Sequence, residues 1–171
     1  MRKCVRILII AAIIALVASA GLAYNIPRDD SRAQYFYVFG PEGNPVLGAE
    51  SGHELVFYID VPEELDNRVS ISIYDPDTGG KVDYKANLYK QWDTVTEFTV
   101  YGAGDSVLGS KSFGCCDGYD RKYFKFGPYS KTQGEKVGND YRFKLRALTT
   151  KGQDANLFNV EIGPDGTEAF T

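Results

Sequence analysis

Strict alternation of apolar and polar side chains along one segment constrains the fold of this chain most strongly. Four apolar residues take turns with three basic ones, in the order Tyr141, Arg142, Phe143, Lys144, Leu145, Arg146 and Ala147. Successive side chains of a β-strand point to opposite faces, so this pattern predicts a strand with one face in the core and a basic face in solvent. The periodicity of an α-helix does not produce this alternation.

The same period of two recurs along most of the chain. Further alternating or aromatic runs end at glycine or proline turns and cover residues 34–39, 55–61, 69–73, 96–100, 107–113, 123–126 and 158–162. No segment after residue 23 carries a convincing helical period. Seven to eight short strands with glycine-rich turns predict an all-β fold, an antiparallel two-sheet sandwich of jelly-roll-like form, in one domain over residues 34–171.

The first 23 residues form a different kind of segment. Three basic residues precede an unbroken apolar run from Ile7 to Val17, and small residues follow it. This pattern predicts a cleaved signal peptide over residues 1–23, and therefore a secreted or extracytoplasmic product with no membrane segment. The alternative is a retained membrane anchor, although the run is short for a span of roughly 20 residues. Residues 24–33 are polar and are predicted to be a flexible lead-in.

The charge balance argues against nucleic acid as a partner. The whole chain has 19 Lys and Arg against 23 Asp and Glu, and residues 1–23 contain three of the basic ones. The mature part then carries 16 positive and 23 negative side chains, a net charge of −7. Proteins that bind the phosphate backbone need clustered positive charge, so we expect no nucleic acid partner.

An acidic segment with a Gly-Gly pair is the strongest candidate site. Asp75 and Asp77 follow the predicted strand at 69–73, and Asp83 and Asp93 come after the glycines. Calcium takes about six to eight oxygen ligands, so these four aspartates are predicted to bind Ca²⁺, although their spacing is not that of an EF-hand. The alternative is a solvated turn whose aspartates cap backbone amides. A weaker cluster repeats the argument with Asp154, Asn156 and Asn159.

Aromatic residues lead to a second binding hypothesis. The chain contains 12 Tyr, 10 Phe and a single Trp, and Trp92 stands beside the acidic segment. Trp92 is a candidate for stacking on a ligand, and the alternative is a lid residue packed over the loop. Surface tyrosines beside a basic patch would extend this to a carbohydrate-binding module. The residues concerned are Tyr119, Tyr123 and Tyr129 with Arg121, Lys122, Lys125, Arg142, Lys144 and Arg146.

Cysteine usage leaves three alternatives open. Of the 3 cysteines, only Cys115 and Cys116 lie beyond the signal peptide, and they are adjacent. Export favours oxidation, yet neighbouring cysteines bridge each other only through a strained ring. The pair is therefore a vicinal disulfide, two free thiols, or the source of bridges to another chain. No metal-thiolate spacing accompanies it.

No catalytic constellation stands out in the sequence. The only histidine, His53, lies at the start of a predicted strand, and the chain has neither a G-x-S-x-G elbow nor an H-E-x-x-H helix. Two carboxylates can hydrolyse a glycoside, but nothing selects a pair among Asp60, Asp75 and Glu97. We therefore expect no catalytic residues and no enzyme activity. The alternative is a fragment of a larger secreted hydrolase.

Two neighbouring strands and the acidic loop carry a family resemblance. The runs E-L-V-F-Y-I-D-V-P at 54–62 and V-S-I-S-I-Y-D at 69–75, with the glycine-containing loop after them, resemble bacterial pre-peptidase C-terminal domains. Those are non-catalytic, jelly-roll-like modules of secreted proteins, some of which bind calcium. The resemblance covers about residues 53–83 and the last strand. The segment from Lys81 to Trp92 and the cysteine pair have no counterpart in it.

The resemblance also has implications for function. It implies a secreted or cell-surface binding or accessory module without catalytic activity. It further implies that Asp75, Asp77 and Asp83 hold the calcium ion. The expected partner is a cell-surface polysaccharide or another secreted protein.

Overall fold

Ten strands and two short 3-10 helices make up the described part of the chain. The computed structural model describes residues 25–26, 35–42, 53–65, 68–86 and 89–164, so the predicted signal peptide lies outside it. None of its helices is long and apolar enough to span a membrane. The strands are β1 (Asn25–Ile26), β2 (Phe36–Phe39), β3 (Glu54–Pro62), β4 (Val69–Tyr74), β5 (Val95–Tyr101), β6 (Val107–Phe113), β7 (Tyr123–Tyr129), β8 (Glu135–Val137), β9 (Asp140–Lys151) and β10 (Ala155–Pro164). The 3-10 helices are Ala103–Asp105 and Lys131–Gln133.

The strands form two antiparallel sheets. The first sheet has the order β1-β10-β4-β7, with β2 also paired to β10, and the second has the order β3-β9-β5-β6, with β8 also paired to β9. The predicted all-β, antiparallel two-sheet sandwich is therefore confirmed. The short strands β1 and β8 raise the number above the seven to eight expected, and β1 lies within the predicted lead-in.

The core lies between the two sheets. The inward residues of β9, Phe143, Leu145 and Ala147, are all fully buried, as the alternation of their segment predicts. Phe98 of the second sheet meets Phe158 of the first, with ring centroids 4.9 Å apart and planes at 85°. Edge-to-face pairs of this kind add about 0.5–1.5 kcal/mol beyond their buried area. Alternating apolar side chains thus bring the two layers together.

Strand β7 runs further than its sequence suggests. Gly127 and Pro128 were expected to close the strand near Phe126, yet β7 continues to Tyr129, which pairs with Val69 of β4. The register shifts between Val69 and Ile71, which marks a bulge. Because β7 lies at the edge of its sheet, a proline without an N–H and a local bulge cost little there.

Three of the predicted site residues, Asp75, Asp77 and Asp83, follow β4 at one end of the sandwich. Strand β4 ends there at Tyr74, which pairs with Asn159 of β10. Two isolated bridges, Thr78 with Cys115 and Tyr84 with Ala155, join the following segment to its surroundings. Residues distant in the chain therefore meet around the loop that follows β4.

Candidate cation site at the end of the sandwich

Asp75 follows β4 directly and turns into the protein interior. It is fully buried, and its positive φ of 58° is a conformation that aspartate adopts more readily than most residues. Its backbone N–H donates to the carbonyl of Lys122 over 2.9 Å, and its Oδ1 accepts the N–H of Arg121 over 3.1 Å. These bonds tie the end of β4 to residues 114–122, the connection between β6 and β7, which we call the cysteine loop.

Asp77 and Thr78 extend the same contact. The Oδ2 of Asp77 accepts the N–H of Tyr119 over 3.0 Å, and the carbonyl of Thr78 accepts the N–H of Cys116 over 3.2 Å. Both side chains are buried. We call residues 75–83 the acidic loop. Its first part, residues 75–78, is buried and packs against the cysteine loop.

Asp83 closes the acidic loop. Its Oδ2 accepts the N–H groups of Gly79 and Gly80 over 2.8 and 3.0 Å, and its Oδ1 accepts the N–H of Leu157 in β10 over 2.8 Å. Burial raises the pKa of the Asp83 carboxyl, and the negative charge of Asp77 raises it further. The three N–H donors lower it. Asp83 thus shapes the loop and brings negative charge to it.

Buried side-chain oxygens without a hydrogen-bond partner are concentrated at this end of the molecule, and the one other such atom among the described residues, Ser70 Oγ, lies near the start of β4. Within the described ranges, Asp75 Oδ2, Asp77 Oδ1, Thr78 Oγ1 and Asn156 Oδ1 are buried and accept no hydrogen bond. Asn156 lies against the acidic loop because its Nδ2 donates to the carbonyl of Pro76 over 2.8 Å. An unsatisfied buried acceptor costs about 1–3 kcal/mol, and more when it is charged. A bound ion or ordered water is the usual explanation for such atoms.

The electrostatics of Asp75 disfavour its charged form. Burial raises the pKa of its carboxyl to about 7, although the hydrogen bond from the backbone N–H of Arg121 lowers it. The nearby carboxylates of Asp83, Asp120 and Asp77 raise it further. A divalent cation would reverse this balance, because an opposite charge at short range stabilises the ionised carboxylate.

The unpartnered oxygens at this end of the molecule are of the chemical type that binds hard cations. Among the described residues, no group of three or more His, Cys, Asp or Glu is arranged to hold a metal ion. Asp75 and Asp77 each have one oxygen without a partner, and Asn156 and Thr78 add two neutral oxygens. Calcium accepts such mixed oxygen ligands, completed by backbone carbonyls and water.

Asp93 belongs to a different hydrogen-bonding group. Its Oδ1 accepts the N–H of Gln153 over 2.7 Å, and its own N–H donates to Asp154 Oδ2 over 3.1 Å. Asp154 is almost fully buried, and it also accepts the N–H of Ala86 at Oδ1 and the hydroxyl of Thr94 at its carbonyl, over 2.9 and 2.8 Å. Proximity in sequence suggested a place beside Asp75. In the structure, the carboxylate of Asp93 instead binds the turn between β9 and β10.

Trp92 packs over the acidic loop. A Cβ atom placed on Gly79 would lie 3.3 Å from Cδ1 of Trp92 and 3.3 Å from Sγ of Cys116. The Nζ of Lys85 lies 5.1 Å from the centroid of the indole. The half-buried ring is therefore in contact with the acidic loop.

The two cysteines of the cysteine loop are joined to each other. Cys115 and Cys116 form a vicinal disulfide with Cα atoms 3.8 Å apart. Cys116 has a positive φ of 65°, and Cys115 forms the bridge with Thr78. The pair therefore lies directly beside the acidic loop.

The predicted basic patch is divided between the two sheets. Arg142, Lys144 and Arg146 lie on β9 of the second sheet, whereas Arg121 and Lys122 precede β7 of the first sheet and Lys125 lies within it. The six residues therefore do not share one sheet face.

Two of the three tyrosines proposed for a sugar contact are packed into the protein. Tyr129 is only 9 % exposed, and the ring of Tyr119 packs on Phe113 with centroids 5.2 Å apart. Tyr123 is 37 % exposed, and its ring lies 4.9 Å from that of Tyr74. An alternating pattern cannot show which aromatic rings lie in a loop or on an edge strand.

Comparison with known proteins returned no relatives. No protein family, no curated protein and no solved structure matches this chain.

Proposed function

We propose that this chain is a secreted or cell-surface, non-catalytic binding module whose β-sandwich is stabilised by a calcium ion at the acidic loop. The observation that carries the proposal is the set of buried, unpartnered oxygens on Asp75, Asp77, Thr78 and Asn156. Two of these atoms belong to carboxylates, and all four are hard ligands of the type that calcium prefers.

The ion would act as a cross-link between distant parts of the chain. Asp75 and Asp77 come from the loop after β4, whereas Asn156 lies in β10. Backbone carbonyls and water would complete a shell of about six to eight oxygens. The carboxylate of Asp83 would support the ion through its charge while its oxygens remain bound to backbone N–H groups. Calcium would then stabilise the folded state because the unfolded chain has no such arrangement.

The arrangement of the remaining polar residues supports a role without turnover. Asp60 is paired with Arg142 on the outside of the second sheet, and Glu97 accepts the hydroxyl of Thr99. Asp75 is buried at the end of the sandwich. His53 is exposed at the start of β3, with Nδ1 3.3 Å from the carbonyl of Phe39. These groups have structural partners of their own and do not converge on a common point.

Export is supported by the basic and apolar pattern of residues 1–23. The disulfide between Cys115 and Cys116 is consistent with an oxidising compartment. Extracellular calcium modules bind the ion with dissociation constants of about 0.1–1 mM, so a site of this modest affinity would be typical outside the cytoplasm.

A calcium titration of thermal stability tests the proposal. The mature protein is stripped with EDTA and melted over calcium concentrations from about 10 µM to about 10 mM, the range of extracellular calcium modules. We expect the melting temperature to rise with calcium. The free energy of unfolding should increase by about 2.7 kcal/mol when calcium is in hundredfold excess over its Kd. Asp77→Asn should abolish the rise.

The matched control removes a carboxylate elsewhere. Asp60→Asn eliminates an exposed carboxylate on the second sheet and should leave the calcium response intact. Identical melting curves for the wild type in EDTA and in saturating calcium would overturn the proposed calcium site. An equal loss of the response in Asp60→Asn and Asp77→Asn would assign the effect to overall charge instead.

A further inference from the structure

The outer face of the second sheet presents a row that includes two exposed side chains, Tyr58 and Val107, and the half-buried ring of Tyr101. Tyr58 of β3 lies opposite Lys144 of β9, Lys144 lies opposite Tyr101 of β5, and Tyr101 lies opposite Val107 of β6. Cross-strand partners point to the same face, so Tyr58, Lys144 and Tyr101 form a line across three strands. Val107 continues it beyond a register shift between Val100 and Tyr101. Tyr58 is 63 % exposed and Val107 is 62 % exposed.

The two tyrosine rings are positioned by cations from the central strand. The Nζ of Lys144 lies 4.4 Å from the ring centroid of Tyr101, and the guanidinium of Arg142 lies 5.4 Å from that of Tyr58. Arg146 also hydrogen-bonds the side chain of Tyr101. Cation–π contacts at exposed sites contribute about 0.5–1 kcal/mol each. A ring that is already held in place loses little conformational entropy when a ligand binds to it.

The charges of this face are paired within the face itself. Arg142 binds Asp60 through two bonds of 2.7 and 2.8 Å. Lys144 pairs with Asp105, and Arg146 pairs with Glu54. The three pairs neutralise the cations of β9, and Glu97 and Glu135 on the same face add negative charge. The face is rich in hydrogen-bond donors and acceptors. Such a surface has no attraction for a polyanion and offers many contacts to hydroxyl groups.

We propose that this face, centred on Tyr58 and Tyr101, binds a neutral polysaccharide. Stacking of sugar rings on the two tyrosines would supply apolar contact, and the ion-paired side chains beside them would hydrogen-bond the sugar hydroxyls. The rings come from strands two positions apart, a separation of about 10 Å, which is comparable with the length of a disaccharide. The inference rests on the proposed role as a binding module and names its ligand class.

The composition of the face favours a polysaccharide over a folded protein partner. Charged residues are depleted at the centres of protein interfaces, because ion pairs lose solvation there. Here charged pairs of β9 stand between the two tyrosines, along the middle of the face. An extended sugar chain would leave these groups partly hydrated.

Native gels that contain a soluble polysaccharide test the proposal. The mature wild-type protein is run through gels with β-glucan, galactomannan or dextran as neutral polymers and alginate as an anionic one. We expect retardation by at least one neutral polymer and none by alginate. Tyr58→Ala should weaken the apparent affinity by about tenfold, the effect of one aromatic stacking contact. Tyr101→Ala should weaken it similarly.

The matched control is Tyr37→Ala, which removes another exposed tyrosine, 42 % exposed, from β2 of the first sheet. It should bind like the wild type. Three results would overturn the inference: no retardation of the wild type by any neutral polymer, retardation by alginate alone, or equal weakening in Tyr58→Ala and Tyr37→Ala.

Runs with excess calcium and with EDTA separate this inference from the calcium site. If the protein is retarded but its melting temperature does not change with calcium, the calcium site is rejected and the polysaccharide face is retained. If the melting temperature depends on calcium but no polymer retards the protein, the polysaccharide face is rejected and the calcium site is retained.

Discussion

The side-chain amide of Asn156 joins the last strand to the acidic loop, through a hydrogen bond of 2.8 Å from its Nδ2 to the carbonyl of Pro76. The same Nδ2 donates to the hydroxyl of Thr96 over 2.9 Å, and the residue is fully buried. The candidate site therefore depends on contacts between segments 80 and 60 residues apart in the chain.

Replacement of Asn156 should be costly for stability. Asn156→Ala leaves the carbonyl of Pro76 without its partner in a buried setting, so we expect a loss of about 2–4 kcal/mol of unfolding free energy. Urea denaturation in EDTA measures this loss apart from any effect of calcium. Asn139→Ala, at an exposed turn before β9, is the control and should change stability by less than about 0.5 kcal/mol. A similarly small change for Asn156→Ala would contradict the structural role of this bond.

The raised pKa of Asp75 predicts a pH dependence with a definite sign. Its carboxyl titrates near 7 in the folded protein and near 3.9 when unfolded, so the folded state binds more protons between these values. Stability without calcium should therefore fall as the pH rises from about 5 to 7, by at most about 1.4 kcal/mol per pH unit, and should level off above pH 7. Urea midpoints in EDTA at several pH values measure the trend.

Two comparisons isolate the contribution of Asp75 to this trend. Asp75→Asn should flatten the profile between pH 5 and 8, because the amide does not titrate. Saturating calcium should flatten it as well, by stabilising the ionised carboxylate. A slope that is unchanged in Asp75→Asn would show that other groups control the pH dependence.

Gly79 should tolerate substitution poorly. Its φ is 128°, and a Cβ atom there would press on both Trp92 and Cys116 at 3.3 Å. We expect Gly79→Ala to destabilise the protein by about 1–3 kcal/mol, measured by urea denaturation. Gly118 provides the control, since its φ is also well beyond the usual left-handed region, at 89°, but no atom lies within 4 Å of the added carbon. Equal costs at the two positions would attribute the effect to the backbone alone and remove the packing argument for Trp92.

The strand pattern was largely predictable from the residues. Alternation marked β3, β9 and β10, because an element with one face in the core and one in solvent must change polarity at every residue. β5 and β6 pair as a hairpin, and the glycine-rich turn between them marks the break between the two runs. Strands β1 and β8 escaped prediction because two or three residues are too few to show a period. The continuation of β7 through Pro128 depended on its place at a sheet edge, which local sequence does not reveal.

The candidate site was predictable only in part. A strand end followed by aspartates and glycines identified Asp75, Asp77 and Asp83, since these residue types favour tight, oxygen-rich turns. Asp93 was placed beside them on the grounds of chain proximity, yet its carboxylate binds the backbone of Gln153. Asn156 was noted only in a separate weak cluster, although it contacts the loop itself.

By itself, the sequence determined the class of fold, because burial of alternate side chains follows directly from the geometry of an extended backbone. It also determined which short segment is rich in carboxylates. Only the tertiary structure decided which oxygens remain without a hydrogen-bond partner, and that Tyr58 and Tyr101 share one face. Both outcomes depend on strand order and register, which are set by the packing of two whole sheets and not by any local run of residues.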